Sequence, residues 1–404
     1  MRLFAGLLIA FAALTTPARA QDAVARGRYL AILGDCAGCH THINGPAFAG
    51  GLPFNAQFGT VYSTNITPDK ETGIGNWTAE QFYRAIHQGV AADGTHLYPA
   101  LPYVYFSRIN CQDSDDLFAY LRSLTPVHQA RTPNRLMFPF NIRAGLIFWN
   151  WLYGPKPPPP LPANQSPEWK RGEYLVNGLG HCAACHTPKN LLFGDRTKRA
   201  LTGGVVDNWY AANLTGRRID GLGKWSHDDL VKYLATGRNK YATAAGSMQE
   251  KVTLSTSHMT DVDRSAIATY LKSLPSNGPV ATSLVDGKQM ASGQAVFVEN
   301  CQICHAPPGQ PDQPGPGPLP DYPKLGGDTL VLGRNPTTVL RIILEGAESP
   351  VTPNGHTTYS MPSFATLSDR DIAEVATYIR NSWGNSAAPV SRSDVRSLRA
   401  RISS

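Results

Sequence analysis

Beyond its first twenty residues the 404-residue chain has no apolar run long enough to cross a bilayer, which excludes an internal membrane span. Charge is sparse as well: Asp, Glu, Lys and Arg make up 17% of the chain. The net formal charge of +7 comes from basic residues scattered among acids, not clustered with aromatics, a pattern that excludes nucleic acid as a partner. Cysteine is scarce, with seven in all, and methionine scarcer still, with six. With 42% hydrophobic residues the chain can bury more than one core, and its length predicts two or three domains. The start reads as an export signal: Arg2, then the apolar LFAGLLIAFAAL, then Ala18-Arg19-Ala20 as a small-x-small cleavage site. Removal of residues 1–20 takes Arg2 and Arg19 away and lowers the net charge to +5. Export places the cysteines in an oxidising compartment.

Six of the seven cysteines form three pairs, and a histidine follows each pair directly. They are Cys36-Ala-Gly-Cys39-His40, Cys182-Ala-Ala-Cys185-His186 and Cys301-Gln-Ile-Cys304-His305. One CxxC also suits a zinc site or a redox disulfide. Zinc would need two pairs converging on one ion, yet these stand more than a hundred residues apart, and three pairs do not divide evenly. Redox dithiols have no use for an invariable following histidine. Haem c accounts for every position: the thiols add to the porphyrin vinyl groups and the adjacent imidazole reaches the iron. The sequence therefore predicts three covalently bound haems c.

The surroundings of the motif repeat with it. Ahead of each lies an amphipathic helix with a glycine that permits close helix approach: VARGRYLAIL with Gly27, WKRGEYLVNGL with Gly172, MASGQAVFVEN with Gly293. A second helix follows in TAEQFYRAIHQG, SHDDLVKYLATG and NPTTVLRIILEG, and the first two carry capping signatures at Thr78 and Ser226. A third helix closes each repeat, placing Tyr120, Tyr270 and Tyr378 at one equivalent position as core residues against the first helix. GPKPPPPLPANQSPE after Tyr153 reads as a stiff extended linker, and SLPSNGPVATS as a second. The tract APPGQPDQPGPGPLPD after His305 reads as a loop, over the third haem or facing a partner.

A histidine-bound haem iron has a sixth position, and methionine there suits electron transfer. Met248 stands 62 residues beyond His186 and Met361 stands 56 beyond His305, both ahead of the closing helix, which marks them as the ligands. Met259 and Met290 read as packing. The first repeat has Leu101 at this offset, 61 residues beyond His40, and leucine has no lone pair to give. The first iron is then open, water-bound, or served by another donor, of which His96, Cys111 and Met137 are nearest. Cys111 reads better as a buried small hydrophobe, His96 as a solvated loop residue and Met137 as packing.

With these residues on the page, the chain resembles the triheme cytochrome c subunits of bacterial membrane-bound dehydrogenases. The likeness runs from about Ala25 to Asn385 and is carried by YSTNITPDKETGIGNW, DGTHLYPALPY, FPFNIRAGLIFWNWLY, GHCAACHTPKN and MPSFATLSDRDIAEVATYIRNSWGN. It implies an all-α fold of three tandem cytochrome c-like domains joined by Pro-rich linkers. The expected layout is a signal peptide over 1–20, domains over 21–153, 169–275 and 287–385, linkers over 154–168 and 276–286, and a basic tail over 386–404. It implies a quinoprotein, flavoprotein or molybdopterin dehydrogenase as electron donor, ubiquinone or a terminal oxidase as acceptor, and peripheral association with the periplasmic face of the inner membrane. Leu101 departs from the methionine usual in alcohol and sugar members and looks more like cytochromes that accompany molybdopterin enzymes. The competing reading is a stand-alone multihaem enzyme that uses an open first haem for peroxide or thiosulfate chemistry. No acid-base residue pairs with the missing ligand, which favours the relay. The tail RSDVRSLRARI has an apolar stripe of Val395, Leu398 and Ile402 that suits either a membrane surface or an ordinary surface helix.

Overall fold

The structure, a computed structural model, describes residues 16–56, 58–276, 285–305, 322–354 and 360–402. Most of the expected export signal, most of the expected second linker and the proline-glycine tract after His305 lie outside the described residues. The helices are α1 (Thr16–Leu33), α2 (Cys36–His40), α3 (Ala79–Gln88), α4 (Tyr103–Phe106), α5 (Cys111–Ser123), α6 (Gly145–Tyr153), α7 (Pro167–Tyr174) and α8 (Cys182–His186). Then come α9 (His227–Thr236), α10 (Ser247–Leu254), α11 (Asp261–Lys272), α12 (Gly287–Asn300), α13 (Gln302–His305), α14 (Thr337–Glu345), α15 (Asp369–Asn381) and α16 (Arg392–Ile402). The strands are β1 (Pro53–Ala56), β2 (Gly59–Tyr62), β3 (Arg135–Leu136), β4 (Gly204–Val206), β5 (Trp209–Ala211), β6 (Ala347–Glu348) and β7 (Ser360–Met361). They form an antiparallel β1-β2-β3 sheet and two antiparallel pairs, β4-β5 and β6-β7.

One crossing of two helices recurs three times. Gly27 of α1 lies against α5, Gly172 of α7 against α11, and Gly293 of α12 against α15. A Cβ at these glycines would collide with the carbonyl oxygens of Asp116, Ala266 and Glu374. Backbone meets backbone here, and only the missing side chain permits it. The Cβ atoms of Tyr120, Tyr270 and Tyr378 are the next neighbours of the same three glycines. Their rings pack on Phe48, Trp169 and Phe297 with centroids 6.1, 5.1 and 5.4 Å apart; Tyr270 and Tyr378 are buried as the core reading expects, while Tyr120 is half-buried and its ring partner lies outside α1. Bidentate ion pairs clamp two of the crossings, Arg26 to Asp116 at 2.6 and 3.0 Å and Arg171 to Asp263 at 2.7 and 2.9 Å.

The second helix of the first two repeats starts and stops as its sequence dictates. Thr78 with Gln81 and Ser226 with Asp229 form capping boxes at the starts of α3 and α9, satisfying backbone N–H groups that the helix leaves open. Gly89 and Gly237 end these helices in the left-handed region, at φ 66° and 72°, where a side chain is disfavoured.

The chain divides into two compact units, one spanning 1–148 with 154–156, the other 149–153 with 157–404. Within the second unit the second and third repeats interlock. The Tyr210 N–H donates to Thr338 Oγ1 at 2.8 Å, and that hydroxyl donates to the Tyr210 carbonyl at 3.0 Å. Arg341 donates to the Asp207 carbonyl at 2.7 Å and lies over the Trp209 ring at 4.3 Å. The third repeat's core gathers Phe297, Leu340, Ile343, Ile372, Val375 and Tyr378, and α16 completes it with Val395 and Leu398 fully buried. The apolar stripe of the tail is thus spent on the chain's own core. Arg399 fastens it, donating to Asp369 at 3.1 Å and to the carbonyls of Ala365 and Leu367 at 2.7 and 3.0 Å.

The all-α expectation is wrong: three small sheets accompany the helices. The reason is local. Between Val206 and Trp209 the pair Asp207-Asn208 adopts φ 49° and 56°, a two-residue turn whose twist suits a hairpin, and this joins β4 to β5. In the first repeat the chain after Pro53 turns back through Gly59, at φ 119°, to form β1-β2, and β3 adds to it.

Candidate cofactor sites

Each Cys-x-x-Cys-His motif is a single short helical turn, α2, α8 or the turn running from Cys301 into α13, set directly behind the glycine-bearing helix of its repeat. The residue ahead of the first two motifs turns the chain through the left-handed region, Asp35 at φ 55° and His181 at φ 41°. Asp and His are among the residues that tolerate it best. All six motif cysteines are half-buried. Burial pushes the Cys301 thiol up to about 12 and raises that of Cys182.

The three histidines are held alike. His40 Nδ1 lies 2.7 Å from the Thr64 carbonyl, His186 Nδ1 2.6 Å from that of Ala212, and His305 Nδ1 3.2 Å from that of Pro323. A carbonyl only accepts, so Nδ1 carries the proton and Nε2 keeps its lone pair. This is the tautomer, and the supporting bond on the far nitrogen, that a metal-binding imidazole needs. Burial lowers all three imidazoles below their ordinary value, with the carbonyl bond opposing, so each is neutral at pH 7.

The carbonyls that hold His40 and His186 are fixed by residues that sequence reasoning missed. Asn65 Oδ1 accepts from the Thr67 N–H and hydroxyl at 2.9 and 2.7 Å, and Asn213 Oδ1 accepts from those of Thr215 at 2.8 Å each. Both asparagines directly follow the histidine's partner residue. The signal was present as the repeated Thr64-Asn65-Ile66-Thr67 and Ala212-Asn213-Leu214-Thr215.

Met248 lies at the start of α10 and Met361 on β7, each half-buried. Met361 packs, with Cys301, against the third repeat's core. Leu101 is half-buried in the loop that enters α4, where its carbonyl accepts from the Tyr103 N–H at 2.8 Å. Of the alternative donors to the first iron, Met137 is 56% exposed at the end of β3. His96 is half-buried in the loop before Leu101, and its carbonyl accepts from Arg143. Cys111 is exposed at the first turn of α5, contrary to the buried-hydrophobe reading, because the helix begins at that residue and turns it outward.

Several buried donors in the second unit have no acceptor. Trp225 is 4% exposed, stacked on Tyr241 and edge-on to Tyr233, yet its Nε1 has no hydrogen-bond partner. The Nε atoms of Arg199 and Arg334 are likewise buried without partners. Arg199 belongs to the segment whose Gly203 N–H donates to the His186 carbonyl at 2.8 Å, and Arg334 reaches the same segment at Thr202. Burial, with Arg334 and Arg196 nearby, lowers the Arg199 guanidinium. Surplus donors with positive charge beside a thiol pair and a neutral imidazole fit a planar metal cofactor that bears carboxylates. Haem has these features, so the residues present fit the group.

These features define a c-type cytochrome, and comparison with known proteins narrows the class. The cytochrome c family model matches residues 290–383. It matches once, so the expectation of three tandem domains of that family is corrected to one matched domain among three motif-bearing repeats. The gluconate 2-dehydrogenase cytochrome c subunit of Pantoea cypripedii is 39% identical over 97% of this chain and 92% of its own length. The cytochrome c subunit of the quinone alcohol dehydrogenase of Gluconobacter oxydans is 38% identical over 95% of this chain and 84% of its own. The fructose dehydrogenase cytochrome subunit of Gluconobacter japonicus is 36% identical over 95% of this chain and 84% of its own. The chain belongs to the family of dehydrogenase cytochrome c subunits, and with that membership comes covalently bound haem c.

Proposed function

We propose that this chain is the electron-transfer subunit of a dehydrogenase complex and carries three haems c. Cys36 and Cys39, Cys182 and Cys185, and Cys301 and Cys304 would hold the haems through thioether bonds, with His40, His186 and His305 as iron ligands. Met248 and Met361 would serve the second and third irons, while Leu101 stands at the corresponding place in the first repeat and has no lone pair to give. The observation that carries this reading is the threefold recurrence of a neutral motif histidine whose Nδ1–H is tied to a backbone carbonyl.

Bound haem supplies one-electron transfer. The polypeptide fixes each imidazole's orientation through its carbonyl, and Arg199 and Arg334, next to the segment bonded to His186, would anchor carboxylates at the second motif. A catalytic dehydrogenase subunit is the electron donor, and ubiquinone or a terminal oxidase is the acceptor. The composition of residues 1–20 supports export, with cleavage after Ala20 and residence at the periplasmic face of the inner membrane. The relatives' names offer gluconate, alcohols and fructose as substrates to try with the partner.

The test is purification of the native complex followed by anaerobic addition of each substrate while the haem absorption is followed. The expected outcome is a co-purifying catalytic subunit and reduction of the haems by one of the substrates. Turnover of peroxide or thiosulfate by the isolated cytochrome, with no partner recovered, would contradict the reading.

A further inference from the structure

Between Asp116 and Glu168 the chain has no acidic residue at all, while Arg122, Arg131, Arg135, Arg143 and Lys156 fall in the same stretch. In a protein with 30 acids, this 51-residue stretch carries basic residues only. The same region exposes apolar side chains that a folded chain ordinarily covers. Phe138 is 78% exposed, Ile142 50%, and Ile147 and Phe148 59% each. Leu146 alone turns inward from the first turns of α6, buried at 8%.

A pocket of about 790 Å³ is lined by Tyr98, Arg131, Asn134, Arg135, Asn141 and Arg143, and Met137 and Asn141 of its lining adjoin Phe138 and Ile142 in the chain. Three of its walls are guanidinium groups and none is a carboxylate. Arg143 is built in: it lies 5.1 Å from the Tyr98 ring centroid and donates to the His96 carbonyl at 2.8 Å. Arg131 and Arg135 are exposed. The charge of Arg143 and Arg131 is felt by Asp93, whose carboxyl is lowered chiefly by hydrogen bonds from Thr95 and further by these two arginines.

From this juxtaposition we infer that residues 131–148 are the surface by which the protein lies on an anionic lipid bilayer, with lipid phosphates at the arginine pocket and Phe138, Ile147 and Phe148 dipping into the acyl boundary. The inference rests on the proposed membrane placement and adds where and through which chemistry it occurs. Aromatic and aliphatic side chains rimmed by arginine match a bilayer interface, apolar below and negatively charged at the phosphates. No helix among the described residues is long and apolar enough to cross a membrane, so contact through this face is peripheral. The tail helix does not compete for the role, since its Val395 and Leu398 are buried in the third repeat's core.

The experiment is co-sedimentation of the purified haem-loaded full chain with vesicles of phosphatidylglycerol and phosphatidylethanolamine, and with phosphatidylcholine vesicles as the uncharged control. Binding to the anionic vesicles is expected, weakening as salt rises. The double variant Arg131→Gln/Arg135→Gln weakens it by about twenty-five-fold, at about fivefold for each arginine. The variant Phe138→Ser/Phe148→Ser weakens it by about tenfold. Both variants keep the haem spectrum and thermal melting of the parent, which shows them folded. Parent and variants binding alike would overturn this surface while leaving membrane placement standing. Failure of the parent to bind either vesicle would overturn both. Variants that lose the co-purifying catalytic subunit but still sediment with vesicles would make this face a protein interface and refute the lipid assignment.

Discussion

At the scale of single residues, the position held by Leu101 sets the first repeat apart. A thioether raises a haem's potential and a hydrocarbon cannot. Leu101→Met is expected to give the first haem a low-spin spectrum and to raise its midpoint potential by on the order of 0.1 V, within the range of about 0.8 V that axial ligands span. A redox titration with visible and EPR detection reads both. An unchanged first haem would mean that its iron already has a strong sixth ligand from elsewhere.

A second residue-scale prediction concerns Asp328, 6% exposed and held by the N–H groups of Leu330 and Val331. Burial pushes its carboxyl up to about 7. The folded state therefore holds the proton more tightly than the unfolded chain, whose aspartate titrates near 4, a value of about the ordinary carboxyl range. Stability from this group is fully present below about pH 4, is lost as pH rises toward 7, and is flat above that. Asp328→Asn keeps an acceptor for both N–H groups and removes the charge. Its melting temperature is expected to match the parent near pH 4 and exceed it at about pH 8, by a few kcal/mol at most in stability. Equal melting at the higher pH would mean that Asp328 ionises without penalty.

At the scale of elements, the glycine crossing is the organising contact, and it was legible. A glycine at the same place in three amphipathic helices announced a close approach, and the structure puts a carbonyl oxygen where each Cβ would be. Gly172→Ala is expected to cost about 1–3 kcal/mol by forcing α7 away from α11. Chemical denaturation measures it, and a loss below about 0.5 kcal/mol would show that the crossing yields without strain. The capping residues Thr78 and Ser226 were legible for a similar reason: a cap is a local hydrogen bond, written within four residues. The hairpin at Asp207-Asn208 was equally local, but its strands have only three residues each, too short for alternation to register beside helical repeats. The hydrogen bonds that aim His40 and His186 span 24 and 26 residues, so the asparagines that fix the accepting carbonyls emerge only once the chain is folded.

At the scale of the whole molecule, the three motifs could be counted from residue order alone, but how the repeats assemble could not. The second and third form one compact unit through Tyr210, Thr338, Arg341 and Asp207, contacts between residues more than 120 positions apart with no motif to flag them. The tail was ambiguous for a related reason. An amphipathic helix states that it has an apolar face and leaves open what covers it, and here the cover is the third repeat.

The proposal that three porphyrins are fastened to one exported polypeptide underlies the electron-transfer role given above. The direct measurement is haem stoichiometry on the denatured protein after extraction with acidified organic solvent, by pyridine haemochrome absorbance and iron content against protein mass. Three haems retained per chain, with the first repeat's haem lost on Cys36→Ala/Cys39→Ala, is the predicted result. Colour that passes into the solvent, or fewer than three equivalents retained by the intact protein, would contradict it.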